Sequence, residues 1–401
     1  MPSPESGGRR AGVTTRAVAS HNAALIIDVL RSRGPSPRSG IAVHTGLSIA
    51  TVNRLAEDLI GRGVVSEDPH NVMTGGRPAR VLRYNGESHG VLVFDLGPQN
   101  TTAAIINMDG ESVHREVRPT ASFAGETGSP QIFEYLLGFA HEIMELGRER
   151  CPIAAVAVSV PGVVRPGMGL VDFAPALRWW AMPLARRMEQ ELNVPVLAEN
   201  NVNLLALAEH QRGAGVGTRD MVAISIGTGV GAGLILGSQL HRGWQGGAGE
   251  VGYMLMQPTS AAAEWPGFGD LESRIGMTGI RKRALAAGAD DLPSLLADAR
   301  AGSASARDGV ESITDELAQA IANISVVVSP ELVVIGGPIG RTAGHIVAGC
   351  AHRLIGRIPT VPRIVLGELP DAALLGAAEL AIDHVLSQNA VQLPLLADRR
   401  S

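Results

Sequence analysis

The sequence predicts a winged helix-turn-helix head followed by a larger α/β body built as two glycine-rich lobes. Three observations carry this. Residues 1–85 hold 11 arginines against 6 carboxylates, while the rest holds 23 basic against 33 acidic residues, so a +5 head precedes a −10 body in a chain of net charge −5. Near the N-terminus, apolar residues recur at helical spacing in three short blocks divided by glycine turns. Beyond residue 90, strand-like runs alternate with longer helical ones. At 401 residues and 45% hydrophobic composition, the chain suits two or three globular domains.

Residues 1–20 read as a disordered N-terminal arm, and residues 21–85 as the DNA-binding head. Ala24, Ile27, Val29 and Leu30 fit a helix over His21–Arg31, stopped by Gly34-Pro35. A second helix covers Arg38–Thr45 and turns at Gly46-Leu47. Ser48 then caps a third, which reaches Arg62 and closes at Gly63. Val52, Leu55 and Leu59 face inward, which turns Ala50, Thr51, Asn53, Arg54 and Asp58 outward. A helix presented this way enters the major groove with its first turns nearest the bases; Asn53 suits adenine, and Arg54 suits guanine or a phosphate. Val64-Val65-Ser66 and Arg80-Val81-Leu82-Arg83 form the wing, whose Gly75-Gly76-Arg77-Pro78 tip brings Arg77 to the backbone or minor groove. Ser48, Ala50, Thr51, Asn53, Arg54 and Arg77 are the candidate DNA contacts. The alternative is a basic helical adaptor whose Asn53 and Arg54 are a solvated face.

In the body, strands are expected at 91–95, 102–107, 154–160, 194–198, 222–226, 231–236, 332–335 and 363–366. Helices are expected at 131–150, 183–192, 203–212, 271–287, 308–328 and 372–386. Three glycine segments punctuate them: Phe94–Asn100, Ser225–Gly233 and Val333–Ile339. Glycine in such turns lets backbone amides approach an anion. Cys151 and Cys350 are the only cysteines, which excludes a disulfide framework and fits a reducing cytoplasm. The N-terminus has no apolar run after its Arg pair, unlike a signal peptide. Residues 221–240 are uncharged and mostly apolar, but their glycines divide them into a buried hairpin rather than a membrane span.

From about residue 20 to 387 the chain resembles the winged-helix repressor branch of the ROK family (repressors, open reading frames and kinases of sugars). The resemblance rests on Ser159-Val160-Pro161-Gly162-Val163-Val164, Glu199–Asn203, Ile226–Leu234, Gly246-Gly247-Ala248-Gly249-Glu250-Val251-Gly252 and Leu369–Glu379. It implies an actin/hexokinase-like body with a sugar in the cleft between lobes. One lobe would be residues 86–200 plus 372–387, the other 201–371, and 388–401 a C-terminal tail. The sugar contacts would be Gly162, Asn200, Asn201, Glu250, Tyr253 and Glu272. The phosphate loops would carry Asp95 and Gly97, Gly227, Thr228 and Gly229, and Gly336 and Gly337.

Three departures from the family pattern bear on activity. Asn201 stands where the kinases carry a catalytic aspartate, and an amide is no base at neutral pH. Loss of a general base costs about 10²–10⁴ in rate. Pro98 and Gln99 replace the second Gly and the Thr of the first phosphate loop, and proline removes a backbone donor. The family's zinc-ligand positions are Tyr253, Ala263, Trp265 and Asp270, so neither metal nor cofactor is expected. The expectation is a cytoplasmic, kinase-inactive transcriptional regulator, a repressor, that answers to a sugar or sugar derivative and retains only vestigial phosphate loops. As a homodimer or dimer of dimers it would read a pseudo-palindromic operator. Alternatives are an ATP-dependent sugar kinase with atypical residues, and a regulator controlled by a protein partner.

Overall fold

The computed structural model describes residues 15–72, 79–120, 128–148, 151–262 and 269–388. In the head, α1 (Thr15–Arg33) is followed by a two-residue strand β1 (Ser36–Pro37), α2 (Arg38–Thr45), α3 (Ile49–Gly61) and the strands β2 (Val65–Val72) and β3 (Ala79–Tyr84). The three strands form one sheet in the order β1-β3-β2. Helix α1 starts at Thr15, inside the segment expected to be a disordered arm; residues 1–14 lie outside the described residues. Gly46 takes the left-handed conformation that ends α2, and Ser48 caps α3 by accepting from the Thr51 amide at 3.1 Å. Val52, Leu55, Ala56 and Leu59 bury the inner face of α3.

The first lobe contains β4 (Gly90–Leu96), β5 (Asn100–Asn107), β6 (Ser112–Pro119), α4 (Gly128–Gly147), β7 (Ile153–Val160), a small sheet of β8 (Val163–Arg165), β9 (Leu170–Ala174) and β10 (Trp179–Met182), then α5 (Leu184–Leu192) and β11 (Val196–Asn200). Its main sheet runs β11-β7-β4-β5-β6. Helix α6 (Asn201–Arg212) leads into the second lobe, with β12 (Met221–Ile226), β13 (Val230–Leu236) and β14 (Gln239–His241). There follow α7 (Asp270–Ile275), α8 (Met277–Ala286), α9 (Leu292–Ala301), α10 (Ala304–Val328), β15 (Leu332–Gly336), α11 (Gly337–Gly340), α12 (Gly344–Leu354) and β16 (Arg363–Leu366), and α13 (Ala372–Gln388) ends the described chain. The second sheet runs β14-β13-β12-β15-β16.

Both sheets share one plan: an antiparallel three-strand meander extended by two parallel strands. The repeat makes the β4–β5 turn at Gly97 the counterpart of the β12–β13 turn at Gly227–Gly229. It likewise matches the end of β7 at Pro161-Gly162 with the end of β15 at Gly336-Gly337.

The expected helix over 271–287 is two helices, because the backbone at Gly276 is extended (ψ 173°), ending α7 and restarting the chain as α8. The strand β6 was not expected: it alternates charged and half-exposed residues along a sheet edge and has no apolar run. The segment 85–90, where the head passes into the body, is firmly built in. Ser88 and His89 are buried, and the Asn85 amide donates to Val64 O at 2.8 Å.

Head and body share one core. Ile26, Ile27 and Leu30 of α1 belong to the same buried cluster as Ala378, Ala381, Ile382 and Val385 of α13. Helix α13 in turn crosses α6 closely, since a Cβ at Gly376 would collide with the Leu204 carbonyl. Arg212 at the end of α6 pairs with Glu379. Gly376→Ala should therefore destabilise the chain by about 1–3 kcal/mol, although alanine is the better helix former. Urea unfolding measures it, and an unchanged midpoint would disprove the tight crossing.

Candidate effector cleft and DNA-reading helix

On the head, Ala50, Asn53 and Arg54 are exposed along α3, and neither Asn53 nor Arg54 makes a hydrogen bond or ion pair with another described residue. Ser48 and Thr51 instead bond each other, Oγ to Oγ1 at 2.8 Å, fixing the first turn of the helix. Arg77 lies outside the described residues. Arg38, which sequence reasoning did not single out, ties α3 to the wing: it reaches Glu57 at 2.7 Å and Glu67 at 2.5 Å, and Arg80 also pairs with Glu67. The Arg38 and Arg80 guanidinium groups hold the Glu67 carboxyl below its usual range.

In the body, the Asn200 side chain caps α6. Its Oδ1 accepts from the Val202 amide at 2.7 Å and from Asn203 at 3.1 Å, while Nδ2 donates to Gly162 O at 2.8 Å, leaving one N–H for a ligand. Asn201 is the first helical residue, half-buried, and its amide bonds no other described residue. Gly162 is required for a different reason than ligand approach: a Cβ there would strike Phe173 O and Ala174 of β9. Glu199 is buried and engaged by other partners. Its Oε1 accepts from Asn203 Nδ2 at 2.9 Å and its Oε2 from Arg242 Nε at 2.5 Å. Arg242 carries no sequence signal, since its partner lies 43 residues away. Trp179 is wholly buried, and Trp180 is 59% exposed.

Glu250, Tyr253 and Glu272 converge on one side of the cleft. Glu272 Oε2 accepts from the Val230 amide at 2.8 Å, and a Cβ at Gly229 or Gly252 would crowd the same carboxylate. Burial, then the Glu272 charge, pushes the Glu250 carboxyl up; burial pushes Glu272 up against the Val230 hydrogen bond. Burial, then Glu272 and Glu250, also raises Tyr253. Each group is thus biased toward its neutral form, which can donate as well as accept hydrogen bonds.

The predicted phosphate loops are brought together in part. Gly337 (φ 80°) lies against Ser225 and Ile226, and Gly227 against Pro338, so the second and third loops adjoin, with Thr228 exposed at the turn. In the first loop, Gly97 N donates to Asn100 O at 3.0 Å, closing a tight turn that leaves Pro98 and Gln99 at the exposed tip. Asp95 accepts from Ser159 Oγ at 2.7 Å; burial raises its carboxyl.

The residues at the family's metal positions do not fit a metal. Asp270 is fully buried with both oxygens engaged, by the Met256 amide at 2.7 Å and Arg274 Nε at 2.6 Å, and the Ser260 hydroxyl bonds it too. Tyr253 offers a phenol that burial keeps protonated, while Ala263 and Trp265, outside the described residues, are not ligand types. No group of three or more His, Cys, Asp or Glu side chains suited to a metal occurs among the described residues.

The sequence profile of the ROK family matches residues 91–384. The chain belongs to the ROK family. It is 27% identical over 335 residues to the xylose repressor of Caldicellulosiruptor bescii, covering 79% of this chain and 82% of that one. Its fold matches the crystal structure of a ROK family transcriptional regulator, a homolog of the E. coli MLC protein, with a TM-score of 0.81, 22% identity, and 94% of this chain and 99% of the other covered. That coverage reaches into the head, because residues 86–401 are only about four-fifths of the chain. A ROK glucokinase from Streptomyces griseus, solved with glucose and AMPPNP, matches 73% of this ROK chain and 98% of its own, with a TM-score of 0.60 and 23% identity. No described helix is long and apolar enough to cross a membrane.

The raised carboxyls give a pH test. A carboxyl whose folded pKa lies above its unfolded value contributes stability that is complete below the unfolded pKa and lost as pH rises through the folded one. Wild type should thus lose stability relative to Glu250→Gln as pH rises above the ordinary glutamate range near about 4.3 and through the raised value of the folded state. Melting curves across pH should show the variant gaining on wild type as pH rises and the gap closing in acid; a constant gap would refute the upward shift that burial, then the Glu272 charge, gives the Glu250 carboxyl.

Proposed function

We propose that this ROK protein is a DNA-binding transcriptional repressor that does not phosphorylate its ligand, and that its cleft takes a sugar or sugar derivative. One observation carries the reading: a cleft with an amide at the base position is joined through α6, α13 and α1 to a helix that presents exposed Asn53 and Arg54. The fold match to a transcriptional regulator that extends over the head, and the sequence likeness to a xylose repressor, support it.

Binding and release are coupled as a population shift. A sugar that draws hydroxyl bonds from Asn201, Glu250 and Glu272 joins the start of α6 to the second lobe. Because α6 crosses α13 without side-chain clearance at Gly376, a tilt of α6 moves α13 and the α1 helix docked on it. Two heads on a homodimer, or on a dimer of dimers, then lose the spacing of about one helical turn, or a multiple of it, that a pseudo-palindromic operator sets. The basic head and acidic body confine DNA affinity to residues up to about 85.

A second reading, a sugar kinase with atypical residues, is favoured by the intact Gly227–Gly229 turn and by the body's likeness to a glucokinase. Against it stand Asn201, which cannot accept a proton, and Pro98, which has no amide to offer a phosphate.

Two experiments decide between the readings. On a duplex selected by the protein from a random pool, Arg54→Ala or Asn53→Ala should weaken binding about 5- to 150-fold, following the ~1–3 kcal/mol of a base contact. Equal affinity in fluorescence anisotropy would remove α3 as the reader. With ATP and a panel of hexoses, amino sugars and pentoses, phosphate transfer should stay at background, while some member of the panel lowers operator affinity. Turnover that vanishes in Asn201→Ala would establish the kinase instead.

A further inference from the structure

Asp270 and Glu209 are the most deeply buried carboxylates among the described acidic side chains, and Asp270 lies two residues before Glu272 on α7. Its Oδ2 accepts from the Met256 amide at 2.7 Å, its Oδ1 from Arg274 Nε at 2.6 Å, and it also bonds the Ser260 hydroxyl. Around it the charges alternate. Arg274 continues to Glu316 on α10 at 3.1 Å, Glu316 accepts from Arg283 of α8 at 2.6 Å, and Arg283 returns to the Arg274 carbonyl. Gln319, one turn along α10, donates to Met256 O at 3.1 Å. Segment 254–260 is therefore pinned from the Met256 amide, the Met256 carbonyl and Ser260, all converging on one buried carboxylate and the helix behind it.

We propose that Asp270 is a positioning residue for the cleft: it clamps the Met254–Ser260 segment onto α7 and α10 and so holds Tyr253 and Glu272 facing Glu250. The cross-link is made by hydrogen bonds and ion pairs where the side chains present do not suit a metal. Its geometry links both flanks of the cleft wall. Segment 254–260 begins one residue after Tyr253, and α7 is seated so tightly on that wall that a Cβ at Gly269 would collide with the Gly252 carbonyl and Tyr253 Cα. Release of the clamp frees Glu272, and with it the Val230 amide that Glu272 accepts from. A buried ion network of this kind is strongly destabilised when one member is removed, because its partners stay buried without compensation.

The inference rests on the effector reading for its purpose but not for its test. Full-length Asp270→Asn is compared with wild type by amide hydrogen exchange resolved to the residue. We expect exchange at Met256 and at Val230 to accelerate at least tenfold. Asp291→Ala, which removes the cap that α9 receives at the Ser294 amide in the same lobe, serves as the control and should leave both amides at wild-type rates. Unchanged protection of Met256 and Val230 in Asp270→Asn would overturn the proposal, as would equal acceleration in the control. A chelator should leave wild-type exchange at both amides unaltered, and acceleration by chelator would show a metal holding the wall. For a sugar that lowers operator affinity in wild type, Asp270→Asn should raise the midpoint concentration at least tenfold, and an unshifted midpoint would also count against the proposal. If no sugar acts on wild type, the effector reading falls while hydrogen exchange still decides the clamp.

Discussion

The contact on which the architecture turns is the crossing of α6 and α13 at Gly376, where one helix backbone lies against the other with no side chain between them. Close-packed interiors transmit displacement instead of absorbing it. Helix α6 begins in the cleft, with Asn200 as its cap and Asn201 as its first residue, and α13 is the surface on which α1 of the head docks. The ends of α6 are fixed independently. At its start Asn200 holds Gly162 of the first lobe; near its end, buried Glu209 accepts from the Ala214 and Leu369 amides. The helix is therefore held at both ends as well as at its crossing with α13.

That constraint explains the absence of a free linker between head and body. A DNA reader on a loose tether would report nothing about the cleft. Here Asn85 hydrogen-bonds the end of the head core, Ser88 and His89 are buried, and apolar residues of α1 share a cluster with α13. Arg31 of α1 adds a charge interaction with α13, where it opposes the rise that burial gives the Asp383 carboxyl. The head and the first lobe are thus joined through packed surfaces.

What could be read from the sequence follows the range of the interactions. Local grammar was legible: the Ser48 cap, the left-handed Gly46, the buried spacing of Val52, Leu55 and Leu59, and strands written as apolar runs such as Ile153–Val160. Elements without that grammar were not. The edge strand Ser112–Pro119 is half charged, and the short strands between Val163 and Met182 are interrupted by glycine and proline. In the site, motifs located Asn200, Asn201, Glu250 and Glu272, but not what their atoms do. Gly162 yields to β9, and most of Asn200 is engaged by the α6 cap. Arg242 with Glu199, and Arg274 and Arg283 with Glu316, pair across 33 to 43 residues, where no spacing rule applies. Asp270 could be seen only as a departure from a ligand pattern, because its buried partners are a backbone amide, a serine and an arginine.

The substitution at Asn201 also fits the electrostatics of its surroundings. The first turn of a helix favours an anion by about 0.3–1 kcal/mol, so an aspartate there would be locally welcome. Yet a Cβ at Gly231 would meet Val202, the next residue, and approach the Gly249 carbonyl, which precedes Glu250 in a wall where Glu250 and Glu272 are already biased toward protonation. A third carboxylate would raise the repulsion that Glu250 already experiences from Glu272, and in a kinase the cations that accompany a nucleotide can relieve it. A cleft that binds only a neutral polyol has no such relief, and an amide of the same shape keeps hydrogen-bonding capacity without the charge. On this argument, an amide at Asn201 and a polar wall beside it both suit the proposed binding without phosphate transfer.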